Sequence, residues 1–287
     1  MTIRNPIEWG WDQLKLAATG VSSAGRAVHH IEETLHSPPL AVRRIGAADL
    51  REALARGFDD FGAYRSDVVF LCVVYPVLGL VLARLAFGHA LLPLLFPLAS
   101  GFALVAPFAA VGLYEMSRRR EQGAEVSWTT AFGVFRAPAF GAILMLGLLL
   151  VAIFLAWLVA AYLIYDHTLG PVQPASISSF LRDIFTTAAG WAMIGIGFLV
   201  GFLFAVVVLA ISVVSFSLLL DRDVGLDTAV TTSLRAAAAS RGTMALWGAI
   251  IAGALVLGSL PLFVGLVVVL PVLGHATWHL YRRVVPR

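Results

Sequence analysis

Apolar positions in this chain gather into long blocks, with polar positions crowded into the stretches between them. About 20 apolar residues suffice to cross a bilayer. Six blocks, at about 67–87, 90–114, 139–165, 188–220, 243–257 and 262–281, read as transmembrane helices. The fourth is the most pronounced. Ala188–Leu220 carries no charge for 33 positions and ends in Asp221-Arg222-Asp223. At about 1.5 Å per residue it would be roughly 50 Å long, against a hydrocarbon core near 30 Å. It is expected to tilt, protrude or break near its glycines. Pro76 lies inside the first block, and Pro93, Pro97 and Pro107 inside the second. Each removes a backbone donor that neighbouring helices must replace. The fifth block is short and Gly-rich, and Ser259-Leu260-Pro261 separates it from the sixth. Joined as one helix the two would reach roughly 55 Å, so two helices are expected.

Shorter amphipathic patterns fill the polar stretches. Trp128, Phe132 and Phe135 fall at helical spacing between the second and third spans, as do Leu226, Val230 and Leu234 between the fourth and fifth. Residues 1–65 offer three more. Asn5-Pro6 starts a helix carrying Trp9, Trp11, Leu14 and Leu16; Ala24, Val28, Ile31 and Leu35 form a second stripe; Leu50, Leu54, Phe58 and Phe61 form a third. This region reads as an amphipathic cap lying on the bilayer surface or on the bundle's own loops. A docking arm for a partner is the sharper reading. Residues 66–287 then form the membrane domain. Met1–Arg65 lacks the run of about 7–15 apolar residues that a signal peptide needs, so the first span is expected to direct insertion.

Composition agrees. The chain is 60% hydrophobic and 13% charged, with mean hydropathy +0.89, where a soluble chain is about 25% charged. The basic residues also fix a threading. Of 20 Lys and Arg residues, 18 fall on residues 1–65, the 115–137 and 221–241 loops and the tail; Arg84 and Arg182 fall on the opposite side. The positive-inside rule then puts six spans with both termini in the cytoplasm of a bacterial inner membrane. Tyr64, Tyr114, Trp128, Trp247, Trp278 and Tyr281 would form the inner aromatic belt, and Tyr162, Tyr165 and Trp191 the outer. Cys72 is the single cysteine, so no intramolecular disulfide forms. No basic patch interleaved with aromatics points to nucleic acid.

Two stretches resemble one another. One span ends in Leu113-Tyr114-Glu115-Met116-Ser117-Arg118, the other in Leu219-Leu220-Asp221-Arg222; each is followed by a glycine turn, a surface helix, an Arg and an ascending span. The two units run the same way, so the likeness reads either as a parallel duplication or as the common pattern of membrane hairpins. Gly197-Phe198-Leu199-Val200-Gly201 is a small-xxx-small motif that admits a close helix, inside the bundle or in a second copy of the chain.

Candidate chemistry is sparse. His275 and His279 sit one turn apart on one face of the last span. That spacing can hold a metal, but two ligands without a third make only a weak candidate. No catalytic triad, phosphate loop or zinc signature is legible, and the intramembrane histidines of a haem-copper oxidase are missing. No catalytic residue, cofactor or metal is therefore assigned. The threading does gather ionisable groups at the inner boundary: Glu115, Asp221, Arg222 and His279, with His275 one turn deeper. Ionisable groups at membrane depth tend to pair or to serve function. They are expected to form one polar cluster, as an ion-pair network tying helix ends together or as a gated, proton-linked ligand site.

Several motifs carry a family likeness. They are Asp49-Leu50-Arg51-Glu52-Ala53-Leu54 with Asp60-Phe61, Leu94 to Gly101, Gly112-Leu113-Tyr114-Glu115-Met116-Ser117-Arg118-Arg119-Arg120-Glu121, Leu218-Leu219-Leu220-Asp221-Arg222, and Leu273-Gly274-His275-Ala276-Thr277-Trp278-His279-Leu280-Tyr281. Together they resemble a bacterial family of predicted integral membrane proteins of unknown function, over nearly the whole chain. Ser240-Arg241 stands where the resemblance leads one to expect Asn-Pro. The resemblance implies an inner-membrane six-helix protein and brings no activity.

The sequence thus predicts an all-α, polytopic transmembrane bundle. The leading functional expectation is a non-enzymatic accessory, assembly or scaffold component of a membrane complex, partnered by lipids and by another membrane protein or a second copy. The rival is a transporter, or a handler of lipids or small hydrophobic molecules, with a cavity near the inner polar cluster.

Overall fold

The computed structural model describes residues 40–72, 84, 92–171, 174, 176–261 and 263–286. Among them the secondary structure is helical throughout. We number the α-helices α1 Ala47–Cys72, α2 Leu95–Ala109, α3 Val111–Glu121, α4 Phe140–Asp166, α5 Ile177–Thr186, α6 Ala188–Ser212, α7 Ser215–Asp221, α8 Leu226–Ala239, α9 Arg241–Ser259 and α10 Leu266–Val284; 3₁₀ turns occupy Leu92–Leu94 and Trp128–Arg136. The first two amphipathic stripes, most of the first expected span, Cys72's side chain, His29, His30, His36 and His89 lie outside the described residues.

Among the described residues, four segments are long and apolar enough to cross a membrane: Leu95–Glu121, Phe140–Asp166, Ala188–Asp221 and Arg241–Ser259. They correspond to the second through fifth expected spans. The sixth is a helix, α10, but its second half carries His275, His279, Arg282 and Arg283. From Pro271 to Val284 it is largely buried in protein. Its lower apolar content follows from that role as an internal post. Between α9 and α10 the chain reverses sharply. Phe263 adopts φ 66° there, and a Cβ added to Gly265 would lie 2.8 Å from the Gly258 backbone. The two helices are separate.

The 33-residue run breaks at Val213-Val214, not at a glycine; Gly190, Gly195, Gly197 and Gly201 all lie within α6. Serines make the break tolerable. Ser233, reaching in from α8, donates to the Ala210 carbonyl at 2.7 Å and accepts from the Val214 amide at 3.3 Å. Ser215 donates to Ile211 and Ala229 carbonyls at 2.5 and 3.1 Å. Backbone groups freed by a break in an apolar environment need such partners. In the small-xxx-small motif, Gly201 packs on the Trp157 ring while Gly197 has nothing within 4 Å.

Glycines set the spacing of α2 and α4. A Cβ on Gly101 would lie 1.9 Å from the Phe154 ring, and one on Gly147 2.5 Å from the Phe108 ring. The proline-rich α2 is also braced by Trp157, whose Nε1 donates to the Pro97 carbonyl at 3.1 Å. The two expected surface helices are present as the 3₁₀ segment Trp128–Arg136 and as α8. At the opposite end, Ser176 caps α5 by accepting from the Ser179 amide at 3.1 Å. That helix exposes Ile177, Leu181 and Phe185. Large apolar side chains on α4, α6 and α9 face outward, among them Leu155, Val159, Phe198, Leu203 and Leu257.

Candidate functional site: the polar end of the bundle

The helix before the first expected span buries an unexpected face. Leu50, Ala53, Gly57 and Asp60 are buried, whereas Phe58 is 58% exposed. Of the stripe Leu50, Leu54, Phe58 and Phe61, Leu50 is buried and Leu54 and Phe61 pack partly against the core, and only Phe58 turns outward. The reason is close approach. A Cβ on Gly57 would sit 2.7 Å from the Val272 carbonyl and 2.8 Å from Ala276 Cβ and N. Only small residues fit between α1 and α10. Across α10, Gly274 does the same for α3, since its Cβ would lie 2.7 Å from Leu113. The helix α1 bends at Tyr64 (φ −124°, ψ 25°), at the expected border between cap and membrane.

Asp60 stands at the centre of this packing. Its Oδ2 accepts from Ser117 Oγ at 2.5 Å and from His279 Nε2 at 2.9 Å, and its Oδ1 from Arg120 Nη1 at 2.6 Å. Ser117, having donated its hydroxyl proton to the carboxylate, accepts from His275 Nδ1 at 2.7 Å. One carboxylate thereby ties α1, α3 and α10 together. Burial pushes the Asp60 carboxyl up, but the hydrogen bonds from His279 and Ser117 and the charge of the two imidazoles outweigh it, holding its pKa below 3.8. The order is acid, hydroxyl, imidazole, which is the wrong order for a nucleophilic serine: the hydroxyl proton already points at the carboxylate. Ser117 and His275 are 1% and 0% exposed.

Two neighbouring junctions repeat the theme. Asp221 Oδ2, ending α7, accepts from Tyr281 Oη at 2.7 Å and from Arg282 Nη1 at 3.1 Å. Glu121, ending α3, accepts from Trp278 Nε1 and Arg282 Nε, each at 3.2 Å. Glu115, 1% exposed, accepts from Arg118 Nε and Arg119 Nε at 2.7 Å each. The chain before α1 is fixed as well. The Arg43 amide donates to the Val284 carbonyl at 2.8 Å and the Ile45 amide to Ser240 Oγ at 3.0 Å. Ser240 thus serves another segment instead of capping α9, and α9 begins at Arg241 without Asn-Pro.

The five residues singled out from sequence are distributed over these junctions. His275 and His279 meet Asp60 and Ser117; Asp221 meets Tyr281 and Arg282; Glu115 meets Arg118 and Arg119; Arg222 donates to the Pro286 carbonyl. His275 and His279 do share one face, but the nitrogens they turn toward Ser117 and Asp60 are engaged in hydrogen bonds. Among the described residues no group of three or more His, Cys, Asp or Glu side chains is placed to hold a metal ion. Asp60, Ser117, Arg120 and Glu121 stood in the quoted motifs without an assigned role. Asp60's signal was its place in register with Leu50, Ala53 and Gly57, a small-residue stripe ending in an acid.

Beside Glu115 and Asp221 lies an open basin of about 350 Å³. Arg118, Arg119, Arg136 and Arg222 line it with Glu115, Asp221 and Asp223. It sits where α3 and α7 end and α4 begins.

Residues 95–221 match the family model described as predicted integral membrane protein (DUF2189). The DUF2189 segment starts with α2 and ends with α7, so it contains three of the four membrane-length segments. Within it lie Glu115, Ser117, Arg120 and Asp221; Asp60, Arg222, His275 and His279 lie beyond it. The demonstrated match is thus narrower than the whole-chain likeness read from motifs. No curated protein and no solved structure matches the chain. The DUF2189 match, with the apolar helices, makes this an integral membrane protein of unknown function.

Proposed function

We propose that this protein is a non-enzymatic scaffold or assembly component of a membrane complex, held in a bacterial inner membrane with both termini cytoplasmic. One observation carries the reading: the buried carboxylate Asp60 bonds to Ser117, Arg120 and His279 and so binds the amphipathic α1 to α3 and α10. These bonds commit the site's acid and hydroxyl to bracing. A braced helix that exposes Arg51, Arg56, Phe58 and Asp59 offers a fixed surface to a partner. Six spans, the first centred near Pro76 and the last on α10, complete the proposed threading, and the parallel units α2–α4 and α6–α9 support a duplication. Purification in gentle detergent with quantified co-purifying proteins tests the function. A stoichiometric membrane-protein partner is expected, and a clean monomer refutes it. A reporter fused after Arg287 is expected to behave as cytoplasmic.

A second reading, lipid handling, is favoured by the basin beside Glu115 and Asp221. Co-purified lipid exchanged between vesicles by the protein would support it over the scaffold.

A further inference from the structure

The basin lies at the polar end of three membrane-length segments, Leu95–Glu121, Phe140–Asp166 and Ala188–Asp221. Its walls change from apolar to charged within one turn, from Leu219 and Leu220 to Asp221, Arg222 and Asp223. Where a membrane-spanning segment passes from apolar to charged residues, it meets the headgroup region of the bilayer. Four arginines face three carboxylates across it, a surplus of one positive charge. The carboxylates are unequally available. Glu115 is shared by Arg118 and Arg119, and Asp221 is held by Tyr281 and Arg282, which approach from α10. Asp223 is exposed. The arginines have capacity to spare. The Arg136 side chain makes no hydrogen bond or ion pair among the described residues, and Arg222 is bonded to a backbone carbonyl. Ala137 and Pro138 also line the basin, which puts it beside the positive end of the 27-residue α4. A guanidinium presents paired donors that match phosphate oxygens.

We propose that the basin binds the phosphodiester of an anionic lipid headgroup, with Arg136 and Arg222 as its principal donors and Arg118 and Arg119 at its rim. The surplus charge equals that of one phosphodiester. A volume of about 350 Å³ accommodates a glycerol-sized headgroup and leaves the acyl chains against the outward apolar faces of the spans. The site does not depend on which side of the membrane this end occupies, nor on the scaffold reading.

The test is native mass spectrometry of the full chain titrated with phosphatidylglycerol or phosphatidylcholine, for the wild type, Arg136→Gln and Arg136→Gln/Arg222→Gln. Arg182→Gln, on α5 at the other end, controls for nonspecific charge. The expected result is tighter retention of phosphatidylglycerol by wild type and by Arg182→Gln. Retention should weaken about fivefold in the single variant and at least about tenfold in the double. Arg136 is exposed, so the single variant keeps the site testable if the double one is unstable. Equal retention of both lipids by wild type, or arginine variants within about twofold of it, overturns the proposal. So does wild-type binding of inorganic phosphate alone with no preference between the lipids, which would assign the basin to a free anion.

Discussion

Replacing Asp60 by Ala removes one acceptor from three donors held at 2.5, 2.6 and 2.9 Å. The donors differ in what they can do next. Ser117 is 1% exposed and cannot turn to water. The His279 side chain is 12% exposed and recovers little, whereas that of Arg120, at 35%, regains solvent. Hydrogen bonds to charged groups contribute about 1.5–3 kcal/mol each, and breaking a buried charge pair costs about 3–5 kcal/mol. With Arg120 discounted, the lower end applies, and the loss is about 3 kcal/mol. For a chain of this size that lowers Tm by about 6–12 °C. The assay is thermal unfolding of the full chain in mild detergent, with Asp60→Asn alongside. Asn keeps one carbonyl acceptor and should lose about half as much. If Asp60→Ala melts within about 2 °C of wild type, Asp60 is not the tie between α1, α3 and α10, and the bracing reasoning fails.

Asp60 also sets an acid limit. Its folded pKa lies below 3.8, so its contribution is complete above the unfolded value and disappears as pH falls through the folded one. Between about pH 5 and pH 3, wild-type Tm should fall more steeply than that of Asp60→Asn, as melting curves across that range would show. Gly57→Leu should detach α1, because even a Cβ meets backbone atoms of α10 at 2.7–2.8 Å; limited proteolysis around residue 60 reads the loss. Ser233→Ala strands the Ala210 carbonyl and Val214 amide at the helix break, costing about 1–2 kcal/mol in the same melting assay. Gly147→Leu should fail to assemble, since Phe108 already occupies the space at 2.5 Å, visible as aggregation on size exclusion.

Apolar patterning located the four membrane-length segments of the described residues and both surface helices, with the second span ending seven residues later than expected, because long uncharged runs have few alternative fates. It also suggested that α9 and α10 part near Pro261, where the chain does reverse. Four features were harder to read. The break in Ala188–Leu220 fell at Val213-Val214 because Ser215 and Ser233 supply hydrogen bonds there; glycines alone supply none. The buried face of α1 is centred on Ala53 and Gly57, beside Leu50, Leu54 and Phe61 of the expected stripe, because close packing on α10 selects small residues there and leaves Phe58 outside. The site was legible in its histidines but not in its centre. His275 and His279 announced a shared face by their spacing, while Asp60 lies some 215 residues earlier, and no local pattern joins them. Helix α5 carried a Ser176/Ser179 cap signal that the dominant membrane pattern overshadowed.

The most direct test of the central claim, that α1 is a braced part of the bundle's polar end, is hydrogen exchange of the full chain in lipid nanodiscs. Amides of Ala53–Asp60 should exchange as slowly as those of Leu273–Tyr281 on α10, and should accelerate together in Asp60→Ala. Rapid exchange across Ala53–Asp60 in the wild type, with α10 protected, would show a peripheral helix resting on the membrane and contradict the account.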